Sequence, residues 1–387
     1  MNESPALALL WEALPTARIV GGAVRDRLAG RPVVDIDLAI PLEPAHIIAS
    51  LRAAGLRGIP TGLAHGTVTA LVQGQHFQIT SLRRDITTDG RHAVVAFTDD
   101  WELDASRRDF TINAMSETQD GQIFDYFNGQ ADLHAGRVRF IGAAQARIAE
   151  DYLRMLRFFR FLARYGRGTP DAQALSAIRA LREGLNRLSA ERVWTEMKNI
   201  LAAPEPQGAV TLMQETGILP LIWPGLDVQR LAALVAYGAP ADPLLRTAAL
   251  LGGAGMAAFA ARWRLSSTEQ STLQGFCAPN RLSPGMDDAT LRRALAMDET
   301  AILIGQSWLA GDSSPGWAGL RARLGAMARP VFPLHGRDVL AAGIPPGPRV
   351  GQILQSVRQW WYEGGCVADA PTCRARIMQE TARENQN

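Results

Sequence analysis

The sequence predicts an α+β fold class, a mixed strand-and-helix region followed by an all-helical remainder. Three observations carry this. Over the first ~140 residues, short apolar runs alternate with Gly and Pro punctuation. From about Gln145 to Gln274 apolar residues recur at helical spacing almost without a break. Further breaks at Pro204-Glu205-Pro206, Pro279, Ser283-Pro284 and Gly343 to Pro348 divide the helical sequence into pieces, the last of them holding Trp360-Trp361-Tyr362.

In order, Ala17-Arg18-Ile19-Val20 reads as a strand ending at Gly21-Gly22, and Ala23 to Ala29 as a helix stopped by Gly30. Val33 to Ile40 reads as a second strand closed by Pro41. Thr67 to Gln73 and His76 to Leu82 read as a hairpin turning at Gly74. Arg83 to Asp100 is polar and reads as a loop. A single long helix is expected from Ala143 to Arg164, ending before Gly166.

The 387 residues carry 40 cationic and 38 acidic side chains, a net charge of +2, so whole-molecule charge does not announce a nucleic-acid partner. Lys198 is the single lysine. The cationic side chains are therefore almost all forked guanidiniums, suited to phosphates and base edges, although genomic composition produces the same bias. Cys277, Cys366 and Cys373 fit neither a zinc site nor a disulfide framework, and a reducing cytoplasm is the default. The most apolar run, about Ala248–Ala261, is shorter than the ~18 residues that span a bilayer, and no basic leader is read at the start.

Three clusters could carry chemistry. Asp35 and Asp37 stand two apart in a strand, which puts both carboxylates on one face, where they suit Mg²⁺ better than they suit a merely solvated edge once the turn Gly21-Gly22-Ala23-Val24-Arg25-Asp26 precedes them. That turn offers backbone N–H groups and a forked cation to an anion. In Arg107-Arg108-Asp109-Phe110-Thr111-Ile112-Asn113-Ala114 the arginines either pair with Asp104 or Asp109 or meet a phosphate. On the expected helix, Asp151, Arg154, Arg157 and Arg160 follow one another at i, i+3 spacing. Three arginines there exceed the nearby acids, which argues for an added anion.

These strings, with Ser189 to Trp194, resemble the class II nucleotidyltransferases, the enzymes that add CCA to tRNA 3′ ends and the related bacterial poly(A) polymerases. Leu334 to Asp338 and Gly347 to Leu354 resemble that family's tail, whereas about 205 to 330 match only in being helical. The resemblance implies a polymerase-β-like head over residues 1–140, a neck over 141–200 that selects the nucleotide, a helical body over 201–330, and a tRNA-binding tail over 331–387. It implies that Asp35 and Asp37 are catalytic and bind Mg²⁺, that Gly22, Arg25 and Arg108 hold the triphosphate, and that Asp151, Arg154, Arg157 and Arg160 contact the incoming nucleotide. The implied reaction is template-independent addition of C, C and A from CTP and ATP to tRNA lacking a complete 3′ end, by two metal ions, with release of pyrophosphate. Poly(A) addition and a catalytically weakened tRNA-binding protein are the alternatives.

Two details sharpen this. Gln78 stands where the family usually carries a third carboxylate. The segment Arg84 to His92 resembles the intact loop of full CCA-adding enzymes rather than the shortened loop of CC-only ones. Arg179, Arg182, Arg187 and Arg192 could line a phosphate track or a solvated helix face, and Arg337 and Arg349 are similar cases.

Overall fold

The computed structural model describes residues 4–88 and 93–384. The chain divides into two compact units, Met1–Pro224 and Gly225–Asn387.

The first unit opens with helix α1 (Pro5–Ala13), which buries Leu7, Leu10 and Trp11 and has no counterpart in the sequence expectations. A mixed seven-stranded sheet follows: β1 (Arg18–Val20), β2 (Asp37–Ile40), β3 (Arg57–Gly62), β4 (Thr67–Val72), β5 (Gln75–Ser81), then β8 (Met115–Glu117) and β9 (Ile123–Asp125). The order is β3-β4-β5-β2-β1-β8-β9, and only the β2–β5 pair is parallel. Helices α1 and α3 (Pro44–Ala53) cover one face, because Val68, Ala70 and Val72 of β4 and Phe77 and Ile79 of β5 alternate toward them. Residues at even offsets, Gln78 among them, are left on the other face. The β4–β5 turn works because Gln73 and Gly74 both hold positive φ, 49° and 78°, which matches the twist of a two-residue hairpin.

Three expectations are corrected. The second strand begins at Asp37, not Val33. On the β1 side its partner stops at Val20, where the chain turns into α2 (Gly22–Leu28), so the residues before Asp37 have no ladder there. The stretch expected as a loop forms a separate ribbon, β6 (Arg83–Thr88) against β7 (Ala93–Phe97), followed by α4 (Trp101–Ser106). Thr, Val and Ile in both segments favour strand over the charge pattern that suggested a loop. Part of the loop expectation, residues 89–92, lies outside the described residues. Finally, the long helix is two: α6 (Ala144–Glu150) and α7 (Arg154–Tyr165). Asp151 is extended between them, at φ −151° and ψ 108°, and its Oδ1 accepts the Leu153 N–H at 3.0 Å. A short acid that bonds its own downstream backbone starts helices rather than continuing them.

α5 (Gly129–His134) precedes this pair, and α8 (Ala172–Leu181), α9 (Ala190–Leu201), α10 (Gln207–Glu215) and α11 (Ile218–Ile222) complete the unit. The second unit is helical from α12 (Val228–Ala236) to α21 (Ala370–Glu384). Asp227, Asp242, Ser266 and Asp287 cap successive helices there with side-chain oxygens. It has one core around Leu291, Leu303 and Leu324 and another around Val339, Val357, Trp361 and Ile377. Among the described residues no helix is long and apolar enough to cross a membrane.

Candidate active site

The site begins where β1 ends. Gly21 has φ 68°, and a Cβ there would stand 2.8 Å from the Arg108 guanidinium, so glycine serves both the turn and that close approach. α2 then places Arg25 on its buried face. The Arg25 guanidinium donates to Asn113 Oδ1 at 2.5 Å and, as a fork, to both Asp26 oxygens at 3.0 Å. Its plane lies 4.6 Å from the Tyr165 ring centroid, and the Tyr165 hydroxyl donates to Asp26.

The loop after α4 is anchored by Phe110. That fully buried ring packs on Phe140 at 4.7 Å and on Phe161 of α7 at 5.2 Å between centroids. With Phe110 fixed, Asp109 faces α7. Arg157 Nε donates to Asp109 Oδ2 at 2.6 Å, and Asn113 Nδ2 donates to Oδ1 at 3.0 Å. Burial pushes the Asp109 carboxyl up, but Arg157 and Asn113 outweigh it and hold the group below its ordinary value. Arg107 and Arg108 both pair with buried Asp104, at 2.8 and 3.5 Å, as one of the two sequence readings allowed.

α7 shows why the surplus of arginines was misjudged. Arg154 pairs with Glu150, Arg157 with Asp109, and Arg160 with Glu196 of α9 at 3.4 Å. Asp109 and Glu196 arrive from elsewhere in the chain, so local counting could not find them. Burial, opposed by Arg160 and Arg157, raises the Glu196 carboxyl above its usual range. Asp151, outside the helix, accepts from Arg192 at 2.7 Å.

These groups enclose a cleft of about 660 Å³. Gly22, Arg25, Arg108, Asp151, Arg154, Arg157 and Arg160 all line it. Asp26, Asp109, Asn113 and Tyr165 line it too and were not singled out from the sequence. Asp109 and Asn113 were legible only as members of the Arg107 to Ala114 string, and Asp26 only as the last residue of the glycine turn.

Asp37 opens β2, whereas Asp35 lies ahead of the strand, so the expectation that one strand carries both carboxylates on a shared face is corrected; both residues are exposed. They face each other electrostatically. Partial desolvation by its neighbours raises the Asp37 carboxyl above its ordinary value even though the residue reaches the surface; Arg108 opposes that, and Asp35 adds to it. Arg108, an arginine of the cleft, therefore acts on Asp37, although neither Asp35 nor Asp37 is among the residues that line the cleft. β2 and β5 run parallel with Asp37 opposite Gln78, and because side-chain direction alternates in step, both stand on the face away from the core. Among the described residues no group of three or more His, Cys, Asp or Glu comes together as a metal site. Two carboxylates, the Gln78 amide and substrate phosphates still form an oxygen set that fits Mg²⁺, which commonly takes one or two protein carboxylates and keeps its waters.

Residues 17–139 match the family described as the poly A polymerase head domain, and residues 169–230 the family described as a probable RNA and SrmB-binding site of polymerase A. CCA tRNA nucleotidyltransferase 1, mitochondrial, of Mus musculus is 36% identical over 373 residues, spanning 90% of this chain and 83% of that one. The chain belongs to the CCA-adding tRNA nucleotidyltransferase family. It is accordingly a nucleotidyltransferase, of a family that generally needs divalent metal. The CCA-adding enzyme of Levilactobacillus brevis is 30% identical over 398 residues, with 96% of each chain covered. In fold, the Bacillus stearothermophilus CCA-adding enzyme, solved in complex with CTP, superposes with a TM-score of 0.76 over 99% of this chain and 100% of that one, at 24% identity. The polymerase-β-like head expected from the sequence is therefore the observed architecture.

The arginines for which a phosphate track and a solvated helix face were both open readings have different surroundings. Arg192 lies in the cleft, Arg182 pairs with Glu183, and Arg187 lies over the Tyr152 ring. Arg179, Arg337 and Arg349 are exposed.

Proposed function

We propose that this chain adds C, C and A in turn to the 3′ end of tRNA lacking a complete end, taking CTP and ATP and releasing pyrophosphate. The observation that carries the reading is one cleft lined by all seven residues that the family resemblance assigns to the nucleotide, one of which, Arg108, also acts on Asp37. Its volume suits a nucleotide.

Residue roles follow from the chemistry each group retains. Arg25 and Arg108 are held by carboxylates on one side and keep further N–H donors for a triphosphate, with Gly22 leaving the backbone approachable. Asp151 spends one lone pair per oxygen, on Leu153 N–H and on Arg192, and keeps acceptor capacity toward the cleft. Cytosine and adenine each present an exocyclic amine beside a bare ring nitrogen, which an Asp acceptor and the Arg154 donor match. Uracil and guanine present a carbonyl beside a ring N–H and clash. Each polar contact left unpaired between base and cleft costs about 1–3 kcal/mol, so two mismatches reject UTP and GTP strongly. Arg157 and Arg160, braced by Asp109 and Glu196, hold the α7 face against the nucleotide. Asp35 and Asp37 would hold Mg²⁺, with Gln78 giving an uncharged oxygen. When bound, the divalent ions supply charge neutralisation on the triphosphate and a more acidic primer 3′-hydroxyl.

The four-part division at 140, 200 and 330 belongs to this reading, with the tail gripping tRNA. So does a cytoplasmic location, which the free thiols of Cys277, Cys366 and Cys373 support. The purified protein, given tRNA truncated before its terminal CCA and each nucleoside triphosphate, is expected to add two C and then one A, and no U or G. ATP-only homopolymer growth on generic RNA would replace the reading with poly(A) addition. Tight tRNA binding with no incorporation would replace it with a binding role.

A further inference from the structure

A second cleft, of about 410 Å³, adjoins the nucleotide cleft and shares Arg164 and Tyr165 with it. Its charged lining is Arg31, Arg164, Arg167 and the titratable His134, with no carboxylate among the described residues. The three arginines also lack a carboxylate partner anywhere among the described residues. The neighbouring cleft differs: apart from Arg164, which the two share, its arginines Arg25, Arg108, Arg154, Arg157, Arg160 and Arg192 each have one.

The arginines are held by contacts that leave their charge uncancelled. Arg31 Nη2 donates to the Arg164 carbonyl at the end of α7, at 2.6 Å, and its guanidinium stands 5.0 Å from the Tyr165 ring centroid. Arg167 is fixed by its backbone, whose N–H donates to the Gly136 carbonyl at 2.8 Å. A Cβ on Gly136, which has φ 65°, would fall 2.5 Å from the Arg167 Cβ, so the turn after His134 and the chain after α7 touch there. Like charges gathered by backbone anchors, with most of their donors unused, form a site for an anion, and forked donors favour phosphate.

We propose that this cleft is a second phosphate-binding site, separate from the triphosphate contacts at Arg25 and Arg108. The phosphate has two chemical sources, the sugar-phosphate backbone of the RNA primer and the inorganic pyrophosphate that the reaction releases. The primer source rests on the function proposed above; the phosphate chemistry itself does not.

The test uses the full-length protein with Arg167→Ala and the charge reversal Arg167→Glu. Arg167 is exposed and carries no ion pair, so both variants are expected to fold, checked by an unchanged thermal midpoint. Binding is measured to truncated tRNA over a salt series, to inorganic pyrophosphate by calorimetry, and to CTP. For the primer source, Arg167→Ala weakens tRNA binding several-fold at low salt and lowers the salt slope by about one, Arg167→Glu weakens it further, and CTP binding is unchanged. For the product source, pyrophosphate binding weakens in the same order and tRNA binding does not. Wild-type affinities for both probes in the two variants would overturn the proposal. Nucleotide incorporation by the wild-type protein is scored separately, so absence of CCA addition overturns the function without deciding the phosphate site.

Discussion

Two arginine-lined clefts meet at Tyr165 and are built by opposite electrostatic rules. In the nucleotide cleft each guanidinium that the family resemblance assigns to substrate is braced by a carboxylate: Arg25 by Asp26, Arg108 by Asp104, Arg157 by Asp109 and Arg160 by Glu196. In the second cleft Arg31 is held by the Arg164 carbonyl and the Tyr165 ring, and Arg167 by its backbone. The difference teaches what bracing is for. A buried cation without a partner is costly to desolvate, so a site that must hold several arginines in fixed orientation supplies an acid to each. An exposed site keeps its solvation and leaves its charge for a ligand.

The largest expected effect is at the acids proposed to hold Mg²⁺. Asp37→Asn should lower turnover on truncated tRNA by at least about 10³-fold. The apo thermal midpoint should hold or rise, since burial and Asp35 already disfavour the charged acid. A fall in midpoint comparable to a core mutation would make Asp37 structural.

Next in size is the brace itself. Arg157→Ala strands the buried Asp109 carboxylate and should cost about 3 kcal/mol in denaturant unfolding, against less than about 0.5 for Arg167→Ala. The two variants therefore separate the clefts by stability alone. The pH dependence has a definite sign. Asp109 sits below its ordinary value of 3.8 in the folded state, so its contribution is complete above that value and is lost as pH falls through the lower, folded value. The stability gap between wild type and Arg157→Ala should narrow below about pH 3.8; a gap that stays constant there would assign the loss to packing.

Gly21→Ala comes third. A residue with a Cβ at φ 68° is strained by about 1–2 kcal/mol, and here it also displaces the Arg108 guanidinium. KM for CTP should rise, and a variant with lowered stability but wild-type KM would sever Arg108 from the triphosphate. The smallest expected effect is at Gln78, which lies opposite Asp37 in the parallel β2–β5 register. Gln78→Glu should lower the Mg²⁺ concentration for half-maximal rate a few-fold by adding a third charge near Asp37. An unchanged Mg²⁺ titration would show that the position does not reach the ion.

Much of the nucleotide cleft was legible because its residues fall in short strings whose spacing survives folding. The glycine turn and the Arg107 to Ala114 loop each put their chemistry within a few residues. What could not be read was the bracing, because Asp109 to Arg157 and Arg160 to Glu196 are contacts between separate elements. Counting only neighbouring acids made the α7 arginines look unpaired. The break at Asp151 was hidden for another reason: helical periodicity continues across it, and only the capping habit of a short acid ahead of Leu153 marks the new start. The ribbon β6–β7 was missed because charge density was weighed above the β-branched residues that form it. The second cleft carried no local signal at all, since Arg31, His134 and Arg164 with Arg167 come from three distant stretches.

The most direct measurement is the ratio of kcat/KM for CTP over UTP on truncated tRNA, compared between wild type and Arg154→Ala or Asp151→Ala. If the side chains beside the break in the helix choose the base, discrimination should fall by at least ~10-fold, about the weight of one unpaired polar contact. Discrimination that stays at the wild-type ratio in both variants, with activity still measurable, would contradict a protein-templated cleft at this position.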